Sequence, residues 1–315
     1  CLQAGDETDV AAMQAMGVAL RGSAAALAAK PVFLTGGNAE PPLCIPGKMA
    51  GVVMAAGRAG IPCGLGDYVM MGITAPRTLE GALVQRNAVQ LTALLLAQTA
   101  HPGAPWYYVG ASGSANLATL DPVMANPHAA RMLRASVELG RSYGLPVCGL
   151  APTDSKKADA QAACERAVIL TMVQQAGADV IQGPTSMMDQ MMLSSFTQAV
   201  IDSDIAGYIN AAWRPLEVSA GNLAPDAIHE VATDPGLAGF KFAAHPHTAE
   251  HLHDAEWQPL VFDYGTFAAW QQRGAPDIEE RARAVVRRIL REHEQETMPG
   301  DLSRELRRIA REVQS

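Results

Sequence analysis

Short apolar runs recur along the chain, and glycine or proline bounds each of them. They are PVFLTGG (31–37), IPCGLG (61–66), APWYYVG (104–110), LPVCGLA (145–151) and ADVIQG (178–183). Each run has the length of a strand, and none alternates between apolar and polar positions. This pattern is typical of parallel strands that are covered on both faces.

Helical stretches separate these runs, at about residues 46–59, 78–100, 127–142 and 158–176. The centres of successive runs lie 30, 43, 41 and 33 residues apart, which is the spacing of a repeated βα unit. No glycine-rich nucleotide-binding loop follows the first run. We therefore predict an α/β fold of the (β/α)8, or TIM-barrel, type rather than a nucleotide-binding doubly wound sheet.

Only five or six strands can be counted, and the chain begins with Cys1 rather than Met. The missing strands of a barrel would lie upstream of Cys1, or are too weak to recognise in the sequence. Residues 1–275 are predicted to form the barrel domain. Residues 276–315 are predicted to form two amphipathic helices that pack on the barrel or in a homo-oligomer. Their apolar stripes are Ile278, Ala282, Val285 and Ile289, and then Leu302, Leu306, Ile309 and Val313.

Charge, hydrophobicity and cysteine content limit the possible partners and the cellular location of the protein. The net charge is −8, and no basic stripe is present, so we expect no nucleic-acid partner. No apolar run reaches the roughly 18 residues of a membrane helix, so we expect no membrane partner. The five cysteines are odd in number and form no CxxC pair, which favours reduced thiols and a cytoplasmic location.

In a parallel barrel the chemistry lies in the loops that follow the strands. The loop after the fourth run, TDSKKAD (153–159), offers Asp154, Ser155, Lys156 and Asp159 as candidate site residues. The alternative is ordinary capping, since Asp154 or Ser155 would also suit the N-terminus of the helix at 158–176.

Other strand ends add further candidates. Tyr68, Ser112 and Gln182 follow the second, third and fifth runs. In WYYVGASGSAN (106–116), an inward-facing Tyr108 or Trp106 would hold a quaternary ammonium by cation–π attraction. Packing of these rings against outer helices remains the alternative.

Two further clusters stand out. In HPHTAEHLH (245–253), His247 and His251 are four residues apart and would share a helix face. That spacing suits a zinc pair, but no third ligand is placed as in HExxH, so we predict no metal. The methionines Met187, Met188 and Met191 would form either core or a soft docking surface for a partner or cofactor.

With these stretches in view, the chain resembles the trimethylamine methyltransferase family, whose members are corrinoid-dependent methyltransferases. The likeness runs over most of residues 30–290. The matching stretches are TAPRTLEGALVQRNAVQLTALLLAQTAHPGAPWYYV (74–109), TDSKKADAQAACERAV (153–168), AGADVIQGP (176–184), QAVIDSDI (198–205) and HPHTAEHL (245–252).

This resemblance implies a (β/α)8 barrel with an N-terminal extension, so we expect this chain to be the C-terminal portion of a longer protein, without the N-terminal strands of the barrel. It also implies a corrinoid (cobalamin) carried by a partner protein. The sequence also departs from the family pattern. Lys157-Ala158 occupies the position where family members often have Val-Pro. Asp263-Tyr264 occupies the position after the histidines where family members usually have an Arg. Pyrrolysine-bearing members carry that residue near Pro152–Ser155, whereas only standard residues occur here. The likeness is therefore to the non-pyrrolysine branch, and the implied substrate is a quaternary amine such as glycine betaine.

The chemistry agrees with that substrate class. A cobalt(I) corrinoid attacks a methyl carbon directly, and a quaternary ammonium then releases a neutral tertiary amine that needs no proton. On this interpretation Tyr68 and Tyr108 face the cation. Lys156, Ser112 or a histidine such as His247 or His251 takes a carboxylate tail, and Asp154 and Asp159 fix Lys156.

Several alternatives remain open. A trimethylamine-type methyltransferase or a non-catalytic barrel that binds quaternary amines fits the same motifs. A Schiff-base lyase using Lys156 is a different enzyme class, although that lysine lies past the strand end. An inactive family member is the last alternative.

Overall fold

The computed structural model describes residues 2–234, 241–252 and 257–314, which form a mixed α/β fold. The strands are β1 (Leu2–Gln3), β2 (Thr35–Asn38), β3 (Cys63–Gly66), β4 (Tyr108–Gly110), β5 (Ser114–Ala115), β6 (Pro122–Val123), β7 (Val147–Leu150), β8 (Val180–Gln182), β9 (Met187–Met188) and β10 (Leu193–Ser194). The helices of the first half are α1 (Glu7–Arg21), α2 (Ala24–Ala29), α3 (Gly47–Ala59), α4 (Leu79–Ala100), α5 (Pro127–Ser142) and α6 (Ala160–Gln175). The later helices are α7 (Phe196–Ala212), α8 (Ala220–Leu223), α9 (Pro225–Thr233), α10 (Pro246–Glu250), α11 (Phe267–Gln272), α12 (Ile278–Glu292) and α13 (Gly300–Gln314), with a 3₁₀ turn at Phe242–Ala244.

Six parallel strands follow one another in chain order. Strands β1, β2 and β3 pair in parallel, and so do β4, β7 and β8. A parallel bridge between Cys63 and Trp106 joins the two groups, and the Tyr107 amide donates to the Cys63 carbonyl at 3.0 Å. At least one helix lies between each strand and the next. The carboxyl ends of all six strands therefore meet at one edge.

Each of the five apolar runs contains one of these strands, so the predicted βα rhythm is confirmed. The four predicted helical stretches are confirmed as α3, α4, α5 and α6. Strand β1 was not predicted, because two residues at the start of the chain form no recognisable run. The two short hairpins, β5–β6 and β9–β10, were missed for the same reason.

Apolar side chains fill the layer between the strands and helices α5, α6 and α7. Val137, Val147 and Val173 lie in this core and are fully or almost fully buried. On α6 the buried positions Ala162, Ile169 and Val173 fall on one helix face, as an amphipathic helix requires. Asp159 caps that helix by accepting from the Ala162 amide at 3.0 Å.

The two C-terminal helices pack on the rest of this chain. Helix α12 lies against α7, with Ala282 fully buried, and α13 lies against α1, with Ile309 buried. Asp204 on α7 fixes the segment before them, because its carboxylate accepts from the amides of Leu260, Val261 and Phe262 at 2.7 to 3.0 Å. Of the described helices, none combines the length and the apolar character that a bilayer crossing requires.

Candidate active site

A cavity of about 590 Å³ opens where the six parallel strands end. Every one of these strands, or the loop that follows it, contributes to the wall. The described lining residues are Gln3, Gly36, Gly37, Asn38, Gly64, Gly66, Tyr68, Tyr107, Val109, Ala111, Leu150, Gln182, Gly183, Met187 and Met191. All of these side chains are uncharged, and the polar groups among them are amides and phenols. A small molecule would be held here by shape, aromatic faces and a few hydrogen bonds.

Glycines on β2 and β3 leave room for an aromatic ring inside the strand layer. A Cβ atom at Gly64 would lie 2.5 Å from Cε2 of Tyr107. A Cβ at Gly36 would meet the Gly64 carbonyl oxygen, with the Tyr107 hydroxyl 3.3 Å away. The glycines are therefore required for Tyr107 to reach the cavity. Its hydroxyl donates to the Thr35 carbonyl at 2.9 Å, which fixes the ring.

Two phenols line the cavity and stay neutral. Burial raises the pKa of Tyr107 above its usual range, with the thiols of Cys63 and Cys148 adding to the effect. Burial also raises the pKa of Tyr68, and the nearby Asp154 carboxylate raises it further. The Tyr68 hydroxyl is buried and has no hydrogen-bond partner within the described residues. It is therefore available to a ligand.

Tyr108 lies outside the cavity, so the prediction that it faces inward is wrong. The Arg86 guanidinium sits over its ring, 5.3 Å from the centroid, and donates to its hydroxyl at 3.4 Å. That hydroxyl donates to Asn87 at 3.1 Å. Alternation along β4 puts Tyr107 and Tyr108 on opposite faces, and the sequence did not show which face was inner.

The loop Thr153–Asp159 holds neighbouring segments together. The Asp154 carboxylate accepts from the amides of Met124 and Ala125, each at 2.9 Å. Burial raises the pKa of Asp154, while these two amides oppose the rise. The Thr153 hydroxyl donates to Glu165 of α6 at 2.6 Å. These contacts explain the polar content of the loop without a ligand.

The remaining residues of this loop also make local contacts. The Ser155 hydroxyl donates to the cap residue Asp159 at 2.8 Å. The side chain of Lys156 is 63% exposed, and its ammonium group contacts the Asp154 carbonyl at 2.6 Å and Asp189 at 3.3 Å. This geometry fits the capping alternative, and a catalytic role for Asp154, Lys156 or Asp159 stays a prediction.

The other predicted residues divide between the cavity and its surroundings. Gln182 lines the cavity, whereas Ser112 is buried beside it and donates to the Val69 carbonyl at 3.3 Å. His247 and His251 stack at 4.2 Å between ring centroids, and neither is among the described lining residues. The last histidine of that motif, His253, lies outside the described residues.

Only two of the three methionines of the predicted docking surface are accessible from the cavity. Met187 and Met191 line the cavity, but Met188 is 2% exposed and belongs to the core. Within residues 2–234, 241–252 and 257–314, no three His, Cys, Asp or Glu side chains converge as metal ligands.

The structure also buries charged groups that are not among the predicted site residues. Arg166 on α6 is fully buried and pairs with Asp202 on α7, Nε to Oδ1 at 3.1 Å. Asp67, after β3, is fully buried, and neither carboxylate oxygen has a hydrogen-bond partner within the described residues. Burial raises the pKa of Asp67 to about 6, against an opposing effect of Arg86. A signal was present for Arg166, which shares the apolar helix face of Ala162 and Ile169.

Comparison with known proteins places this geometry in context. The family model described as trimethylamine methyltransferase matches residues 3–315, which confirms the resemblance seen in the sequence. Trimethylamine methyltransferase MttB of Methanosarcina barkeri is 29% identical over 282 residues, covering 89% of this chain and 55% of that protein. The glycine betaine methyltransferase of Desulfitobacterium hafniense strain Y51 is 28% identical over 262 residues, covering 83% of this chain and 53% of that protein. The chain thus spans a little over half the length of these curated relatives.

The glycine at position 64 gives a first test. Replacing Gly64 with Ala places a methyl group against the Tyr107 ring. We therefore expect the free energy of unfolding to fall by about 1–3 kcal/mol, as in other overpacked cores. The matched control is Gly47→Ala, since a Cβ there has no atom within 4 Å. Urea denaturation checks both variants. Equal stability of the two would contradict the packing described here.

Asp67 predicts a pH dependence of stability. Its pKa rises from 3.8 to about 6 on folding, so the folded state holds a proton that the unfolded state releases. The stabilisation is complete below the unfolded pKa and is lost as pH rises through about 6. Asp67→Asn removes this effect. We therefore expect the stability of the variant relative to wild type to increase by on the order of 2 kcal/mol between pH 4 and 7. A difference that stays constant with pH in urea titrations would disprove the assignment.

Proposed function

Because the chain belongs to the trimethylamine methyltransferase family, we propose that its protein transfers a methyl group from a small quaternary amine, of the glycine betaine type, to the cobalt(I) corrinoid of a partner protein. One observation carries the proposal: an uncharged cavity at the strand ends is lined by two neutral tyrosines. We further propose that the six parallel strands belong to a (β/α)8 barrel, which keeps its site at this edge.

The two tyrosines supply what a quaternary ammonium needs. Such a cation has no N–H to donate, so it is recognised by aromatic faces rather than by hydrogen-bond acceptors. Tyr68 and Tyr107 line the same cavity, and their raised pKa values keep both phenols protonated. In this proposal their rings hold the cation, and Tyr107 takes the role that was predicted for Tyr108.

The uncharged lining also suits the bond that breaks. The acceptor supplies an electron pair to the methyl carbon, and the pair of the C–N bond stays on nitrogen. A quaternary amine then leaves as a neutral tertiary amine, so no side chain has to donate a proton. The task of the protein is to position the methyl group and exclude water.

A carboxylate or hydroxyl tail would meet amides in this cavity. Gln3, Asn38 and Gln182 line it and can donate hydrogen bonds to such a group. Lys156, which the sequence suggested for this role, pairs with Asp189 and is largely exposed. We therefore assign tail binding to the amides.

In this proposal the corrinoid is a substrate that the partner protein presents. It is larger than the drug-sized ligands that cavities of several hundred Å³ hold, so it would approach the open side rather than enter. Met187 and Met191 would form part of that approach, because their soft side chains adapt to a partner surface. We keep the cytoplasm as the proposed location, since Cys63 and Cys148 are buried free thiols.

A second candidate is a trimethylamine methyltransferase, which is the name of the relative from M. barkeri. A tertiary amine releases a poor leaving group unless a proton is supplied. The uncharged described lining therefore favours the quaternary amine. A barrel that binds such amines without turnover is the remaining alternative.

The test is methyl transfer by the full-length protein. Free cob(I)alamin is mixed with glycine betaine, carnitine or trimethylamine, and the methylated product is followed by its absorbance. We expect product from a quaternary amine and a loss of about tenfold or more in kcat/KM for Tyr107→Leu, because the cation loses an aromatic face. Tyr107→Phe should retain most of the activity.

The matched control is Tyr208→Leu. Tyr208 lies with Trp257 and Tyr264 in a separate surface cleft, so its loss should leave transfer unchanged. Binding of an amine without transfer would support the non-catalytic barrel. Neither binding nor transfer with any amine would overturn the proposal.

A further inference from the structure

One buried ion pair reaches the cavity wall through the backbone. Arg166 on α6 and Asp202 on α7 both have fully buried side chains, and their contact is 3.1 Å. The Arg166 guanidinium also donates to three carbonyl oxygens, those of Ala151, Gly183 and Met187. Ala151 follows β7, while Gly183 and Met187 line the cavity. A single arginine therefore holds two strand ends and the segment beyond them.

Asp202 holds the same segment from its other oxygen. The Ser186 amide donates to Oδ2 of Asp202 at 2.9 Å, and Gln198 donates to Oδ1 at 2.7 Å. The pair thus fixes residues 183–187 at Gly183, Ser186 and Met187. Loss of either side chain would leave these partly buried backbone groups without their partner, which is costly.

The segment that is held in this way has a strained backbone. Ser186, Asp189, Gln190 and Met191 all have positive φ angles, between 48° and 68°. Side chains other than glycine adopt this region only when surrounding contacts impose it. Arg166 and Asp202 contact this segment at Gly183, Ser186 and Met187, and Lys156 pairs with Asp189 at the surface.

We propose that Arg166 and Asp202 are positioning residues that hold the turn at residues 183–191 against the cavity, so that Met187 and Met191 form one wall of the amine site. Neither residue touches the ligand, and both act through the turn. The proposal deepens the proposed function and rests on it for the identity of the ligand. The position of the turn can be tested without any ligand.

The test uses Asp202→Asn, which keeps the size of the side chain. Its amide has only one acceptor oxygen, so it cannot accept from Arg166, Gln198 and Ser186 as the two carboxylate oxygens do. We expect amide hydrogen exchange at residues 185–191 to accelerate by about tenfold or more, since a buried partner is lost. Binding of tetramethylammonium, measured by calorimetry, should weaken by about the same factor. Arg166→Lys should give the same pattern, because lysine cannot reach three carbonyls at once.

The matched control is Arg86→Lys. Arg86 is also fully buried and donates to a strand-end carbonyl, that of Ala111, but it does not contact the turn. This variant should lose overall stability and keep wild-type exchange at residues 185–191. Exchange in Asp202→Asn that rises uniformly over the chain, or stays at the wild-type value in the turn, would overturn the proposal. If Asp202→Asn shows the faster exchange in the turn but the wild-type protein binds no tetramethylammonium, the proposed function fails and the positioning role stands.

Discussion

The structure depends on hydrogen bonds to the backbone carbonyl groups at the carboxyl ends of the parallel strands, where the cavity opens. Backbone carbonyls there no longer have a neighbouring strand, and leaving them unpaired in a buried place is costly. Helix side chains supply the donors. Gln90 of α4 donates to the Leu65 carbonyl and accepts from the Val109 amide, while Arg86 of the same helix donates to Ala111. Arg166 of α6 does the same for Ala151 and Gly183.

This constraint explains how an uncharged cavity is built beside several buried charges. Arg86, Arg166 and Asp202 lie between strands and helices, where they bind backbone groups or one another, and not among the residues that line the cavity. The described cavity wall consists of glycines, two tyrosines, amide side chains, two methionines and the aliphatic residues Val109, Ala111 and Leu150. A wall of that kind can desolvate a cation against aromatic faces without offering it a competing ion partner. The buried charged side chains therefore bind backbone groups of the scaffold, and the cavity wall stays uncharged.

The sequence predicted the strands and the helices between them well, because runs such as LPVCGLA and VFLTGG are covered on both faces and have clear breaks. It predicted the strand-end location of Tyr68 and Gln182 for the same reason. It failed on Tyr108, since only the packing against Arg86 shows which face of β4 is outer. It also gave no sign that Asp154 would bind the amides of Met124 and Ala125, which are thirty residues away in the chain. Long-range polar contacts of this kind have no local pattern.

A nuclear Overhauser experiment between tetramethylammonium and the tyrosine rings of the full-length protein tests directly whether the cation lies between Tyr68 and Tyr107. We expect transfer from the ligand methyl protons to these two rings, assigned through Tyr68→Phe and Tyr107→Phe, and none to Tyr108. Transfer confined to Tyr208 and Tyr264, which line the separate surface cleft, would contradict it.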